Sequence, residues 1–177
     1  QSLELKPLGA GIVLANNAMQ VYEKLGLKTE IESKSNPVSS LKITDIKLRP
    51  LSNVDLKLFE QKYGCQNIAI HRGQLQQILL KHIAANSLKS GHELIGIKKK
   101  DNNNHLKFQN GIEIKSAITL GADGLNSAVR KNLFPESKIR KAFQLCWRGI
   151  IDYELPPNLK TELNEVWGEG IRFGFVQ

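Results

Sequence analysis

The sequence predicts a mixed α/β (α+β) fold in which strand-to-helix units alternate with antiparallel hairpins. Three stretches carry that reading. "NIAIHRGQLQQILLKHIAAN", residues 67–86, passes from a β-type run into a helix whose Leu75, Ile78, Leu79 and Ile83 form one apolar stripe. "HELIGIKKK", "HLKFQNG" and "IEIKSA" follow as successive strands, with Asn110-Gly111 supplying a hairpin turn. "ITLGADGLNSAVRKNLF", residues 118–134, runs from an apolar strand through two glycines flanking Asp123 into helical spacing.

Taken in order, the first element is "LANNAMQVYEKLGL". Ala18, Val21, Tyr22 and Leu25 recur at helical spacing, asparagines stand where an N-cap belongs, and Gly26 stands where helices stop. "SSLKITDIKLRPLS" alternates Leu41 with Ile43 and Ile46 with Leu48, which predicts short strands broken near Thr44 and Asp45, with Pro50 at the exit. The run "KKKDNNNHLK" at 98–107 reads as a solvated hairpin tip. "ITLGADG" is expected to be a strand. "FQLCWRGIIDYELP" and "NEVWGEGIRFGFV" are strand-like and separated by a Pro-Pro loop, and Cys146 and Trp147 are expected to pack in the sheet core. No internal repeat is visible.

Composition narrows the function classes. The chain has 177 residues, 41% hydrophobic and 24% charged, as in an ordinary soluble globular protein. Its net charge is 25 − 17 = +8, but the basic residues are scattered, which argues against a nucleic-acid surface and leaves attraction of anionic cofactors open. No apolar run approaches the roughly 20 residues of a membrane span, and no signal peptide opens the sequence. Two cysteines, Cys65 and Cys146, point to a reducing, cytoplasmic setting, with one bridge between them left open. Gln1 opens the sequence and Met19 is its only methionine, so the start is expected not to be native.

The chemistry concentrates at 118–130. A strand ending in Gly-Ala-Asp-Gly and feeding a helix can set a phosphate or ribose against backbone N–H groups. Gly121 and Gly124 would allow close approach, and Asp123, Ser127 and Arg130 can share one helical face. Equally open is a purely structural reading, with Asp123 or Asn126 capping the helix and Arg130 on the surface. Gly11, within Gly-Ala-Gly at 9–11, suggests approach to something flat or anionic, though a turn glycine would look the same. The four histidines, His71, His82, His92 and His105, lack partners at ligand spacing, so no metal is expected, and no Ser-His-Asp set is visible.

"GADGLNSAVR" resembles the DG motif of the FAD-dependent aromatic hydroxylases, flavoprotein monooxygenases with the p-hydroxybenzoate hydroxylase fold. "LGAGIVLANNAMQVYEKLGL" is similar to the segment of that family that passes the isoalloxazine ring, and "IHRGQLQQIL" to the helix whose leading residue reaches the cofactor. "CWRGIID" and "EVWGEGIRFGF" resemble the opening strands of its substrate sheet. The resemblance implies a partial FAD-binding, Rossmann-like three-layer domain plus part of an antiparallel-sheet substrate domain. It assigns 1–35 and 59–140 to the first and 36–58 and 141–177 to the second.

By the same resemblance, cofactor contacts fall to Ala10, Gly11, Ile12, Arg72, Gly121, Asp123, Gly124, Ser127 and Arg130. Substrate contacts would come from among Arg148, Trp167, Arg172 and Phe173, of which alternation puts only some on the cavity face. The implied activity is FAD- and NAD(P)H-dependent monooxygenation of a small aromatic or electron-rich substrate by O2, through a flavin C4a-hydroperoxide. A related flavin reductase or a non-catalytic remnant are the alternatives.

The family's opening GxGxxG unit and its second FAD motif have no counterpart in this sequence. The expectation is therefore an internal fragment with apolar sheet edges left unpaired and with weak or no FAD binding on its own.

Overall fold

The computed structural model describes residues 9–177. In chain order its elements are β1 (Gly11–Leu14), α1 (Asn16–Lys24), α2 (Lys28–Glu32), β2 (Asn36–Val38), β3 (Ser40–Asp45), β4 (Pro50–Asp55), α3 (Lys57–Tyr63), β5 (Asn67–His71) and α4 (Arg72–Lys81). They continue with β6 (Leu94–Lys100), β7 (Asn103–Phe108), β8 (Glu113–Ser116), α5 (Ala128–Leu133), a short 3-10 turn at Pro157–Leu159, β9 (Glu162–Trp167) and β10 (Arg172–Phe175). The described residues fall into two compact units: Ala84–Trp147, and 9–83 together with Arg148–Gln177. The part of the flavin-domain assignment on 1–8 lies outside the described residues.

The larger unit holds two sheets, ordered β1-β5-β2 and β10-β9-β3-β4. The first is antiparallel throughout, with Gly11 opposite His71 and Leu14 opposite Ile68. Its apolar face is covered by helices: Met19 of α1 and Ile31 of α2 are fully buried against Ile68 and Ile70 of β5, with Leu75 and Ile78 of α4. Leu75 and Ile78 thus bury as the helical stripe predicts, while Ile83 past the helix end is exposed.

The helix at α1 forms where the spacing predicts, but its cap differs. Ala15 occupies the N-cap with no side-chain bond. Asn67 of β5 lends the acceptor instead, its Oδ1 taking the Asn16 N–H at 3.0 Å. At the other end Gly26 turns left-handed at φ +72°, as the stop glycine requires.

Pro50 heads β4 rather than marking an exit from strand structure. The connection between β3 and β4 is pinned by the Asp45 carboxylate, which accepts from the backbone of Lys47 and Arg49 and from the Arg49 side chain. Because β4 is the edge of its sheet, proline at its first residue costs no ladder bond. In the same sheet β3 runs parallel to β9 and antiparallel to β4.

The smaller unit is a β6-β7-β8 meander with α5 packed on β6. Its tip is the expected turn, Asp101 and Asn102 both lying at positive φ, and Gly111 turns the second hairpin at φ +82°. Asn132 of α5 accepts the Ile97 N–H at 3.3 Å, fixing the helix to the strand.

Two expected strands are absent. Residues 118–124 and 143–156 have no ladder partner among the described residues, and a lone extended segment leaves its N–H and C=O groups to solvent. Leu120 is 88% exposed, and Cys146 and Trp147 lie on the surface, not in a sheet core. Both cysteines are free thiols, so the bridge left open by the sequence does not form. Among the described residues no helix is long and apolar enough to cross a membrane.

Candidate functional site

The sequence-nominated residues gather in three places. The first is the corner where β1 begins and β5 gives way to α4. Register sets Gly11 opposite His71 and Ile12 opposite Ile70. The Arg72 N–H donates to the Ala10 carbonyl at 3.2 Å, and the His71 ring Nε2 lies 2.7 Å from the Gly9 carbonyl oxygen. Ala10, Gly11, Ile12 and Arg72 are therefore brought together as expected.

Two glycines there have different reasons. Gly9 sits at φ +132°, and a Cβ on it would lie 3.2 Å from the Arg72 Cβ, so the arginine lies across it. Gly11 has no such neighbour: a Cβ placed on it meets nothing within 4 Å, and its φ is not positive. Nothing among the described residues demands glycine at 11. What that position offers is a side-chain-free strand edge open to approach from outside.

Arg72 opens α4, a ten-residue helix with no side-chain cap and no acidic residue in its first turn. The guanidinium makes no ion pair with a described residue. The Arg72 N–H is spent on the Ala10 carbonyl, but first-turn amides without a side-chain cap, the positive end of the helix dipole and a cation with no ion-pair partner among the described residues combine there, an arrangement that attracts anions.

The second place is the bend at 121–127, where Asp123 and Ser127 cap the helix that follows. Asp123 accepts from the Ser127 hydroxyl at 2.5 Å and from the Ala128 and Val129 amides at 2.6 and 3.1 Å. Ser127 is the N-cap and its Oγ accepts the Arg130 N–H at 2.9 Å. The first-turn amides of α5 are thus spent within the chain, which corrects the expectation that they wait for a phosphate. Hydrogen bonds from Ser127 first, and from the Val129 amide next, hold the Asp123 carboxyl below its usual range.

Nor do the three side chains converge on one point, since the Arg130 guanidinium turns to the Leu125 carbonyl. Gly121 is explained by packing, because a Cβ there would stand 2.8 Å from Val129 Cγ1. Gly124 is explained by its φ of +80°. The bend itself is exposed rather than packed shut, and the Gly124 and Leu125 N–H groups donate to no other described residue.

The third place is the β9–β10 hairpin. Trp167 opposes Arg172 with the guanidinium 5.8 Å from the indole centroid, so the two share one face. Phe173 opposes Val166 and packs near Phe175 at 6.1 Å, on the other face. Arg148 lies in an exposed irregular stretch. Among the described residues no cluster of His, Cys, Asp or Glu could hold a metal. Sequence reasoning missed Asn67, whose capping partner lies 51 residues away and leaves no local signal.

No family model matches the chain. Aurachin C monooxygenase/isomerase of Stigmatella aurantiaca is 30% identical over 169 residues, which covers 96% of this chain and 44% of that protein. The 2-heptyl-3-hydroxy-4(1H)-quinolone synthase of Pseudomonas aeruginosa is 26% identical over 98% of this chain and 44% of its own length. Among solved structures, Klebsiella pneumoniae HpxO complexed with FAD and uric acid superposes with a TM-score of 0.73, at 17% identity, over 94% of this chain and 43% of that one. The chain thus spans somewhat under half the length of the relatives it matches. Its homologues are FAD-dependent monooxygenases, and the chain is similar to them over nearly its whole length.

Proposed function

We propose that this chain supplies part of an FAD- and NAD(P)H-dependent monooxygenase that inserts oxygen from O2 into a small aromatic or heterocyclic substrate. The observation that carries the reading is the open Gly11 edge beside Arg72 at the uncapped start of α4. Those residues fit a flavin dinucleotide: a flat ring can lie against a strand edge without a Cβ, and a pyrophosphate suits a helix N-terminus with an arginine that is unpaired among the described residues. When bound, the flavin supplies the redox chemistry and oxygen activation.

The protein's residues bind, orient and exclude water. Ala10, Gly11 and Ile12 present the strand edge, and Arg72 supplies the cation. In the bend, Asp123 and Ser127 act by shaping the loop, so that the free Gly124 and Leu125 amides face outward as donors to an anion. Trp167 and Arg172 are the substrate contacts that share a face, with Arg172 suited to an anionic or carbonyl group on an aromatic ring. The domain assignment has support in the sheet that joins β3 and β4 to β9 and β10, all four lying within 36–58 and 141–177. Two unpaired cysteines suit a reducing, cytoplasmic setting.

The test uses the protein encoded by the complete reading frame containing this chain. It should purify yellow or bind added FAD stoichiometrically, and oxidise NADH or NADPH faster when phenols or hydroxylated nitrogen heterocycles are supplied. A protein that takes up no flavin at any concentration overturns the proposal.

A further inference from the structure

Two hairpin turns meet at one end of the four-stranded sheet. β3 and β9 run parallel with Asp45 level with Trp167, so the turn at 46–49 that leaves β3 and the turn at 168–171 that leaves β9 lie side by side. A Cβ on Gly168 would stand 3.1 Å from both Ile46 Cγ2 and Ile171 Cγ2, which makes those side chains neighbours across the two turns. Ile46, Leu48 and Ile171 are nevertheless 71%, 71% and 70% exposed. Together they give the sheet end an aliphatic crest.

The fold itself does not call for leucine at 48. Leu48 lies in the left-handed region at φ +61°, where a bulky side chain is strained and asparagine or glycine sits more easily. Being exposed, it adds no burial to offset that strain. The backbone of its turn is self-sufficient. The Lys47 and Arg49 N–H groups donate to Asp45 Oδ1 at 2.8 and 2.9 Å, the Leu48 N–H to the Asp45 carbonyl at 2.9 Å, and the Asp45 N–H to the Arg49 carbonyl at 3.0 Å. With the 47–49 amides spent, the turn presents hydrocarbon and cations outward. Spent amides are the condition for entering lipid, where an unpaired N–H has no water to turn to. The run at 143–156 also exposes apolar side chains, but its backbone has no ladder partner among the described residues and does not meet that condition.

Charge favours a negative surface. Lys47 pairs with no described carboxylate, and the Arg49 side chain, although it meets Asp45, is 73% exposed. Glu169 is the one acidic residue of the two turns, against a net charge of +8 for the chain. A protein partner would need a matching hollow and would find no free amide at 47–49 to bond. A bilayer needs neither. We propose that these turns form a peripheral membrane-docking tip. Ile46, Leu48 and Ile171 enter the headgroup boundary of an anionic bilayer, and Lys47 and Arg49 stay at the level of the lipid phosphates.

The test floats the protein encoded by the complete reading frame with vesicles of phosphatidylcholine alone and of phosphatidylcholine with a minority of phosphatidylglycerol. Saturable binding to the mixed vesicles is expected, weaker on the neutral ones and weaker as salt is raised. Leu48→Asn relieves the turn, so its melting temperature should equal or exceed the parent's while vesicle binding weakens about tenfold. Ile171→Ser, on the other turn, should weaken binding comparably, and Lys47→Glu should remove the preference for the anionic mixture. No binding to either vesicle, or unchanged binding in both Leu48→Asn and Ile171→Ser, overturns the proposal. A lowered melting temperature in Leu48→Asn does so too, because the leucine would then serve the fold. So does a lipid-free oligomer that Leu48→Asn dissociates, which would assign the tip to a second copy. None of the substituted residues is a flavin or substrate contact, so flavin content read on the same samples should match the parent's, and either reading can fail alone.

Discussion

The corner at β5–α4 and the bend at 118–127 are both strand-like runs feeding a helix, and they end in opposite states. At the corner, the strand has ladder partners on both sides, the helix stripe buries, and the first helical turn is left without a side-chain cap. At the bend, the apolar run has no partner, yet the helix start is fully capped by Asp123 and Ser127. The difference teaches that a motif's own carboxylate and hydroxyl can take up the helix amides, so that an anion at the bend would have to meet the Gly124 and Leu125 amides of the loop instead. What matters is whether the amides are already spent.

The comparison is sharpened most by cutting into the packed side. Ile68→Ala removes a fully buried side chain beneath α1 and α4 and should cost about 2–5 kcal/mol, read by denaturant unfolding of the chain. Next is Gly121→Ala, whose new methyl collides with Val129; the loss should be about 1–3 kcal/mol with α5 displaced from β6. A neutral result there would mean that the bend tolerates a side chain and that its glycine has another purpose.

Asp123→Ala should speed hydrogen exchange at the Ala128 and Val129 amides while leaving the β5 amides protected. Acid should act in the same direction. Because the folded carboxyl is held below its ordinary value, its contribution is present at neutral pH and is lost as pH falls below about 4 and through the folded value. Fraying of α5 on raising the pH instead would contradict the assignment. The smallest effect belongs to Leu120→Ala, within about 0.5 kcal/mol, since that side chain touches little.

Much of this contrast is legible in the sequence, and the part that is not has a physical reason. The switch from β-type to helical spacing at His71–Arg72 is local, so the corner can be read directly, and so can the hairpins at Asp101-Asn102 and Asn110-Gly111. Alternation also foretells that Arg172 and Phe173 part company across the sheet. What fails is everything decided by distant partners. "ITLGADG" has strand composition, but a strand exists only when another segment accepts its bonds. The Asn67 cap on α1 and the parallel pairing of β3 with β9 depend on contacts 51 and 122 residues apart, beyond any window.

The account's central claim is that Gly11 is glycine for a ligand and not for the fold. Gly11→Val in the complete protein measures it directly, with melting temperature and FAD affinity taken on the same sample. The account predicts a melting temperature of the flavin-free protein close to the parent's, because a side chain at 11 meets nothing within 4 Å, together with FAD binding weaker by about tenfold or more, on the order of 1.4 kcal/mol. Unchanged FAD affinity, or a loss of stability with flavin binding intact, would contradict it.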